Sequence, residues 1–337
     1  MSQLTRPAGP RGSRIRGVGA YRPARTVGNA PIAERIGVSE EWIASRSGIL
    51  ARRFAGPDEP LPVMATAAAE KALAAAGIEA DRVDAVMVAT ISHLTQMPAL
   101  AVDVAHRLGA LRAAAFDVSA ACAGFCHALA LADTTVRAGD AEHVLVIGAD
   151  RMTDVVDQDD PATAFLFADG AGAVVVSATE DGTTGIGPAV WGADGSRQEA
   201  ITMTGHWVPE LRREDAALPW PYLAMTGWKV FRWATETLGD VGRAAVSRAG
   251  LTVAELAAFI PHQANLLITE ALAKDLDLPN STAIARDIAD SGNTSAASIP
   301  LAMERLLATG AARSGDPALL IGFGSGLVYA AQVVELP

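Results

Sequence analysis

The sequence predicts an α/β protein made of two similar halves, each a sheet covered by helices. The segment around Gly77 recurs around Gly250, and in both places the glycine closes a helix before a short apolar run. The segment around Gly139 recurs around Gly315, in both places as Arg-x-Gly-Asp followed by a strand-like run. In both pairs the repeat follows the first segment after nearly the same number of residues, which indicates a duplicated fold. With 337 residues, 50% of them hydrophobic, the chain can bury a core in each half.

Helical and strand patterns alternate through both halves. Apolar residues recur at helical spacing in residues 62–77 and again in residues 299–310. Short apolar runs rich in β-branched residues are typical of buried strands. These runs occupy residues 84–90, 143–149, 171–178 and 317–324. The alternation predicts sheets with helices on their faces.

Three segments are predicted along the chain. Residues 1–15 are basic and rich in Pro and Gly without an apolar core, so we expect a loose arm rather than a signal peptide. Residues 16–180 are expected to form the N-terminal half and residues 181–337 the C-terminal half. The boundary is predicted near the stretch 177–188, which is rich in Gly and Thr.

Composition argues against several classes of protein. The formal net charge of −11 argues against nucleic-acid binding, because a phosphate backbone attracts a basic surface. No uncharged apolar run reaches the roughly 18 residues of a membrane-spanning helix, so we expect no membrane span. Cys122 and Cys126 are too few and too close for a disulfide framework. We therefore expect a protein of the reducing cytoplasm.

Cys122 lies where a nearly uncharged helix is predicted to begin. The helix dipole and the free N–H groups of a first turn stabilise a thiolate, which is the environment of a nucleophile. The alternative is a small buried residue, since free cysteine is among the most buried residue types. Cys126, one helical turn later, is interpreted as such a core residue.

Three further segments are candidates for the same site. His262 follows a predicted strand and precedes a helix, so it is either a functional group at the strand end or a structural histidine. Asn293 is either a functional group or a cap of the following helix. The glycine-rich segment 322–326 is either a tight turn or a backbone-donor site. The duplication aligns Cys122 with residues 292–298, so we expect these segments to meet at the junction between the halves.

Four motifs, taken together, resemble the β-ketoacyl-acyl-carrier-protein synthase III family of condensing enzymes. They are DVSAACAGF, PHQAN, GNTSAASIP and GFGSGLVYAA, in this order and spacing. The resemblance extends from residue 17 to the C-terminus. It implies a thiolase-like fold, in which the two duplicated halves give a layered αβαβα arrangement.

The resemblance also implies residue roles. Cys122 would accept an acyl group from a thioester, and the backbone N–H groups of Cys122 and Ser325 would form the oxyanion hole. His262 and Asn293 would donate hydrogen bonds to the malonyl thioester and stabilise the enolate formed as carbon dioxide leaves. Phe323 resembles the family's aromatic residue that shields the site from water.

The substrate tunnel departs from the family pattern. Trp42 and Arg46 match positions that bind the adenine end of coenzyme A. Pro161 replaces a second adenine-clamping Arg, Trp228 stands at a position that faces pantetheine, and Leu267 replaces an Arg associated with carrier-protein docking. These departures indicate either a changed acyl donor or neutral drift.

Two more tunnel positions and the partners follow from the resemblance. Asn265 belongs to the tunnel, and Met97 matches the position that bounds the primer pocket across a dimer interface. The flexible thioether of Met97 permits several short acyl groups. The implied partners are an acyl carrier protein, an acyl-coenzyme A or acyl-carrier donor and a second copy of the chain. No cofactor and no metal are expected.

The leading hypothesis is therefore an acyltransferase, a ketosynthase that joins a short acyl primer to malonyl-acyl carrier protein in fatty acid or polyketide initiation. The altered tunnel favours a polyketide pathway. The alternative keeps the acyl-Cys122 intermediate but passes the acyl group to an alcohol or an amine. A cysteine hydrolase and a non-catalytic partner subunit are further alternatives. The duplicated halves argue against the hydrolase, and the retained Cys122 argues against the non-catalytic subunit.

Overall fold

The computed structural model describes residues 12–179, 181–205 and 220–337. The described residues form fourteen strands and nine α-helices. The strands are β1 (Gly12–Tyr21), β2 (Arg25–Gly28), β3 (Ala51–Phe54), β4 (Ala85–Ala89), β5 (Ala114–Val118), β6 (His143–Arg151), β7 (Asp169–Thr179), β8 (Val190–Ala193), β9 (Ile201–Met203), β10 (Leu223–Met225), β11 (Ala258–Pro261), β12 (Ala283–Ile284), β13 (Pro317–Gly324) and β14 (Val328–Glu335). The helices are α1 (Asn29–Ile36), α2 (Glu40–Ser47), α3 (Leu61–Ala76), α4 (Leu100–Leu108), α5 (Gly124–Ala138), α6 (Gly227–Arg248), α7 (Leu266–Asp275), α8 (Ile288–Ser291) and α9 (Ser298–Ala308).

Two five-stranded sheets have the same topology. The first has the order β5-β4-β6-β7-β1 and the second the order β12-β11-β13-β14-β8. In each sheet the first three strands are parallel and the last two join in antiparallel fashion. Every strand of the first sheet therefore has a counterpart in the second, which is the duplication that the sequence predicts. The pairs β2–β3 and β9–β10 form two small additional sheets.

Helices cover both sheets and fill the space between them. Helices α5 and α9 lie in one apolar core with the facing sides of the two sheets, through residues such as Phe125 and Ile299. Helices α3 and α4 pack on the outer face of the first sheet, and α6 and α7 on the outer face of the second. The predicted layered αβαβα arrangement is confirmed. No helix within the described ranges is long and apolar enough to cross a membrane.

The helices and strands predicted from periodicity are confirmed, and their predicted ends lie within two residues of the observed ones. The predicted helices correspond to α3 and α9, and the predicted strands to β4, β6, β7 and β13. The predicted loose arm is wrong for residues 12–15, which begin β1. Ser13 and Ile15 are buried there and pair with Ala178 and Val176 of β7, so the hydrogen-bonded ladder orders this segment. Residues 1–11 lie outside the described residues.

Candidate active site

Cys122 lies in a turn that joins the first sheet to the central helix α5. Strand β5 ends at Val118, a short 3-10 turn covers Ala121–Ala123, and α5 begins at Gly124. Ala121 has φ of 48°, a left-handed conformation that turns the chain sharply just before the cysteine. Cys122 is partly exposed, whereas Cys126, one turn into α5, is fully buried in the core between the sheets.

Burial governs the protonation of the nucleophile. Desolvation raises the pKa of the Cys122 thiol to about 12, a hydrogen bond with Ser295 acts in the opposite direction, and the charge of Asp150 raises the pKa further. The sequence predicts thiolate stabilisation by the helix terminus. The structure adds an effect of opposite sign, because the loss of water around the sulfur disfavours the thiolate. The resting residue is therefore a neutral thiol.

A second turn of the same shape faces Cys122 from the C-terminal half. Ser295 has φ of 52°, begins the short turn Ser295–Ala297 before α9, and is the counterpart of Ala121 in the duplicated fold. Each turn packs against glycines on the middle strand of the other half. A Cβ atom at Gly148 of β6 would clash with the Ala296 carbonyl oxygen, and one at Gly324 of β13 would lie 2.8 Å from the Cys122 nitrogen. Only glycine allows this approach, which brings the two halves into contact at the site.

Asn293 is held with its amide group as a donor. Its backbone N–H donates to the Leu166 carbonyl and its own carbonyl accepts from Ala168 N–H, both at 2.9 Å. Its side-chain Oδ1 accepts from Ser295 N–H at 2.9 Å. Because Oδ1 is occupied, the Nδ2 group is left to donate into the cavity that Asn293 lines. The same hydrogen bond caps the short turn Ser295–Ala297 that leads into α9, so Asn293 serves as a cap as well as lining the cavity.

His262 directly follows β11, and its tautomer is set by Ser298. The Nδ1 atom lies 2.7 Å from Ser298 Oγ, which also accepts from Gln263 N–H at 3.2 Å. With Gln263 N–H donating to Ser298 Oγ, the hydroxyl is free to donate to Nδ1, and we assign the proton of the neutral ring to Nε2. Burial lowers the pKa of His262 to about 3, so the ring is uncharged at neutral pH. The ring of Phe323 packs edge-on at 5.1 Å between centroids.

One cavity of about 310 Å³ brings these groups together. Its inner part is lined by Cys122, His262, Asn293, Phe323 and Ser325. Its outer part is lined by Trp42, Arg46, Trp228, Asn265 and Leu267. Most of the lining is apolar, so a bound acyl chain would be separated from water. Among the described residues no group of three or more His, Cys, Asp or Glu side chains is arranged to hold a metal ion.

The outer part of the cavity is built around Trp42. Its ring packs edge-on against Phe165 at 5.1 Å, and the Arg46 guanidinium lies 5.4 Å from its ring centroid. Asn265 donates to the Arg46 carbonyl at 2.8 Å and caps α7 by accepting from Leu267 N–H at 2.8 Å. Asn265 thus anchors α7 to α2 as well as lining the tunnel. The sequence assigns Asn265 to the tunnel, but nothing in it indicates the contact with Arg46.

The remaining predicted tunnel residues differ in their placement. Trp228 is 65% exposed at the cavity rim. Pro161 is exposed, and its neighbour Ala162 lines the cavity. Met97 is 81% exposed and contributes nothing to the cavity of its own chain. Ser325 donates its hydroxyl to the Ile201 carbonyl at 2.7 Å, which holds the end of β13 against β9.

Sequence reasoning missed three polar groups around the nucleophile. Ser295 and Ser298 both lie inside the GNTSAASIP motif, and Asp150 lies near the end of β6. The motif itself contained the two serines, but their partners lie far away along the chain. Ser298 contacts His262, and Ser295 contacts Cys122 with its Oγ at 3.3 Å from Sγ.

Comparisons with known proteins identify the family of the chain. Residues 116–195 match the family described as 3-oxoacyl-[acyl-carrier-protein] synthase III, and residues 246–336 match its C-terminal part. The chain is 52% identical to beta-ketoacyl-[acyl-carrier-protein] synthase III 1 of Streptomyces coelicolor, with all of both chains covered. It is 50% identical to mycobacterial beta-ketoacyl-[acyl-carrier-protein] synthase III of Mycobacterium avium, covering 100% of this chain and 99% of that protein.

A solved structure is similar over nearly the whole chain. The priming β-ketosynthase from the R1128 polyketide biosynthetic pathway superposes with a TM-score of 0.95 at 47% identity, covering 99% of this chain and 98% of that one. The 3-oxoacyl-[acyl-carrier-protein] synthase III from Aquifex aeolicus superposes with a TM-score of 0.87 at 36% identity, covering 96% of this chain and 100% of that one. The family resemblance inferred from the four motifs is thereby confirmed. The chain belongs to the 3-oxoacyl-[acyl-carrier-protein] synthase III family.

Proposed function

We propose that the protein loads a short acyl group onto Cys122 and condenses it with malonyl-acyl carrier protein, releasing carbon dioxide and a 3-oxoacyl product. The observation that carries this function is the pair of fixed donors beside the nucleophile. His262 presents Nε2–H and Asn293 presents Nδ2–H to the cavity that holds Cys122. Two neutral donors suit one oxygen atom on which negative charge develops.

The first step transfers the acyl group. The Cys122 sulfur loses its proton and attacks the carbonyl carbon of an acyl thioester, the bond between that carbon and the donor sulfur breaks, and the donor leaves as a thiolate that takes up a proton. The carbonyl oxygen becomes an oxyanion in the tetrahedral intermediate, for which we assign the backbone N–H groups of Cys122 and Ser325. The close approach of Gly324 to the Cys122 nitrogen supports this assignment, because it places the end of β13 beside that N–H.

The second step forms the carbon–carbon bond. His262 and Asn293 donate to the thioester oxygen of the malonyl group, so the enolate that forms as carbon dioxide leaves is stabilised. The enolate carbon attacks the acyl carbonyl and the Cys122 sulfur departs. Phe323, which is 1% exposed and packs on His262, keeps water from the enolate.

Transfer of the acyl group to an alcohol or an amine is less well supported. That reaction needs a base to remove a proton from the acceptor. His262 is poorly suited to this, because Nε2 already carries a proton and Nδ1 is bound to Ser298. Acyl transfer to an alcohol or an amine also forms no enolate, so that reaction would not require the Asn293 donor.

Several partners accompany the proposed reaction. The substrates are a malonyl-acyl carrier protein and an acyl thioester on coenzyme A or on a carrier, and the chemistry requires no cofactor. Trp42 and Arg46 would contact the adenine end of coenzyme A. We assign the active form as a homodimer in which Met97, exposed in one chain, bounds the primer pocket of its partner. We place the reaction in the cytoplasm, where a free thiol persists.

The pathway and the donor follow from the outer tunnel. Trp228 and Leu267 give this part of the cavity an apolar rim, with Arg46 as its charged side chain. Such a rim favours a donor other than acyl-coenzyme A, and it supports initiation of a polyketide rather than of a fatty acid. The solved structure from the R1128 polyketide biosynthetic pathway is described as a priming β-ketosynthase, which supports the choice of pathway.

The test is a panel of acyl thioesters on coenzyme A and on carrier protein, followed by malonyl-acyl carrier protein. Intact mass is expected to show one acyl group on the wild type and on Cys126→Ala, and none on Cys122→Ala. Addition of malonyl-carrier is expected to release carbon dioxide and yield 3-oxoacyl-carrier. An enzyme that takes up the acyl group but yields no 3-oxoacyl product would rule out condensation.

A further inference from the structure

Arg52 on β3 is a charged side chain with no exposed surface. Its guanidinium donates to the Gly28 carbonyl at 3.1 Å, to Asn29 Oδ1 at 2.8 Å and to the Phe165 carbonyl at 3.0 Å. These acceptors are uncharged oxygens. Burial lowers the pKa of Arg52 to about 10, so the side chain still carries its charge at neutral pH. A buried cation costs free energy, and the proposed function leaves this one without a role.

The bond to Phe165 places Arg52 beside the segment that holds Asn293. Asn293 donates its backbone N–H to the Leu166 carbonyl, and the Asn293 carbonyl accepts from Ala168 N–H, both at 2.9 Å. These two bonds form a parallel bridge between the two segments. Arg52 holds the backbone one residue before the first of them. A shift of the Phe165 carbonyl would therefore move the partners of Asn293.

The stem of Arg52 also packs against the residue before Asn293. A Cβ atom at Gly292 would lie 2.9 Å from Arg52 Cβ. Gly292 has φ of 70°, so a side chain at this position would be strained as well as crowded. Just before β3, Leu50 N–H donates to the Ala289 carbonyl of α8 at 2.8 Å. The chain around Arg52 therefore contacts both the segment that pairs with Asn293 and the segment that leads into it.

The nucleophile is positioned by other contacts. Cys122 lies in the turn between β5 and α5 and packs against Gly324 of β13, and the hydrogen bonds of Arg52 reach neither element. Asn293, in contrast, must aim Nδ2–H at one oxygen of the malonyl thioester. A misplacement of about 1 Å costs on the order of 100-fold in rate. The two steps of the reaction therefore depend unequally on Arg52.

We propose that Arg52 is a positioning residue that holds Asn293 in place for the condensation step. The inference rests on the proposed role of Asn293 as a donor to the enolate. Arg52 lies behind the cavity wall rather than in it, so it acts through the Phe165 carbonyl and through its contact with Gly292. Its replacement slows condensation and leaves acyl loading of Cys122 at saturating donor unchanged.

The two half-reactions are measured separately in Arg52→Lys. Intact mass follows acyl loading at saturating donor, and the isolated acyl-enzyme is then mixed with malonyl-carrier to time the release of carbon dioxide. Lysine keeps the charge but donates from a single nitrogen atom, so it cannot replace the guanidinium fork. We expect loading within about twofold of wild type and condensation about 10- to 100-fold slower. Equal slowing of both steps, or no slowing of condensation, overturns the proposal.

Asn293→Ala tests whether Arg52 acts through Asn293. In the Asn293→Ala background, Arg52→Lys is expected to slow the residual condensation by less than about twofold, because the group that it positions is already absent. A merely structural role of Arg52 would slow condensation by the same factor in both backgrounds. That result would also overturn the proposal.

The matched control is Arg53→Lys. Arg53 is the next residue on β3, and its guanidinium lies 3.4 Å from the carbonyls of Pro23 and Ala24. Successive side chains on a strand point to opposite sides, so Arg53 faces away from the segment that holds Asn293. Arg53→Lys is expected to carry out both half-reactions at wild-type rates.

A second variant decides the question if Arg52→Lys does not fold. Asn29→Ala removes one acceptor of the Arg52 guanidinium and leaves the Phe165 carbonyl in place. It is expected to show the same division, with slower condensation and normal acyl loading. Slowing of both steps alike, or of neither, would count against the positioning role.

Hydrogen exchange tests the inference without any substrate. The backbone amides of Asn293 and Ala168, resolved by mass spectrometry with fragmentation, are expected to exchange at least about fivefold faster in Arg52→Lys than in wild type or Arg53→Lys, because the bridge opens more often. Unchanged exchange at both amides overturns the positioning role. If exchange rises as expected but the wild-type acyl-enzyme yields no 3-oxoacyl product with malonyl-carrier, the proposed function fails and Arg52 still positions Asn293.

Discussion

The neutral state of His262 makes stability depend on pH in a direction that can be measured. The ring is 2% exposed, and burial lowers its pKa from 6.5 to about 3. The unfolded chain binds a proton at His262 as pH falls through 6.5, whereas the folded chain does not. The stability associated with the neutral ring is therefore complete above pH 6.5 and is lost as pH falls towards 3. At about 1.36 kcal/mol per pH unit, the loss between pH 7 and pH 5 is about 2 kcal/mol.

The assay compares wild type with His262→Asn, which has no titratable ring. Urea unfolding at pH 7, 6 and 5, at one protein concentration, gives the free energy of unfolding of each. The other groups titrate in both proteins and cancel in the difference. Asp169 is one of them, since burial raises its pKa to about 6 and it gains stability as pH falls. The variant is expected to gain about 2 kcal/mol on wild type from pH 7 to pH 5. An unchanged difference would refute the neutral buried ring.

Two further predictions concern the route to the nucleophile. Gly324→Ala would place a Cβ atom 2.8 Å from the Cys122 nitrogen, so the turn must shift. We expect at least about tenfold slower acyl loading and a loss of about 1–3 kcal/mol in unfolding free energy, with Gly28→Ala, which meets no atom within 4 Å, as the control. Normal loading by Gly324→Ala would show that the contact does not position the nucleophile. The double variant Pro161→Arg with Leu267→Arg is expected to lower the KM for acyl-coenzyme A about two- to fivefold per arginine, as exposed ion pairs do. An unchanged KM would indicate that these positions lie off the coenzyme A route.

Much of the fold was predictable because it is encoded locally. Apolar periodicity located α3 and α9, and short β-branched runs located the middle strands of both sheets. The repeat in the sequence anticipated two sheets of one topology. The start of β1 was not predictable in this way, because its first residues are ordered by pairing with β7, which lies far along the chain.

The residues of the site could be predicted from the sequence, but their protonation states could not. The motifs identified Cys122, His262 and Asn293, and the structure brings all three to one cavity. A sequence-based argument from the helix dipole favoured a thiolate at Cys122, whereas burial keeps the thiol protonated. Desolvation depends on how completely the two halves close over the sulfur, and no local pattern reports this.

The sequence by itself determined the α/β class, the duplication and the family, because these depend on periodicity and on motifs that are contiguous in the chain. Only the tertiary structure decided how each polar group acts. Ser298 sets the tautomer of His262 from 36 residues away, and Ser295 reaches Cys122 from 173 residues away. Those contacts exist because each half contributes a turn with a left-handed residue, and each turn packs against a glycine of the other half. The physical reason is that a hydrogen bond requires its two atoms to lie within about 3 Å, which depends on packing between distant segments.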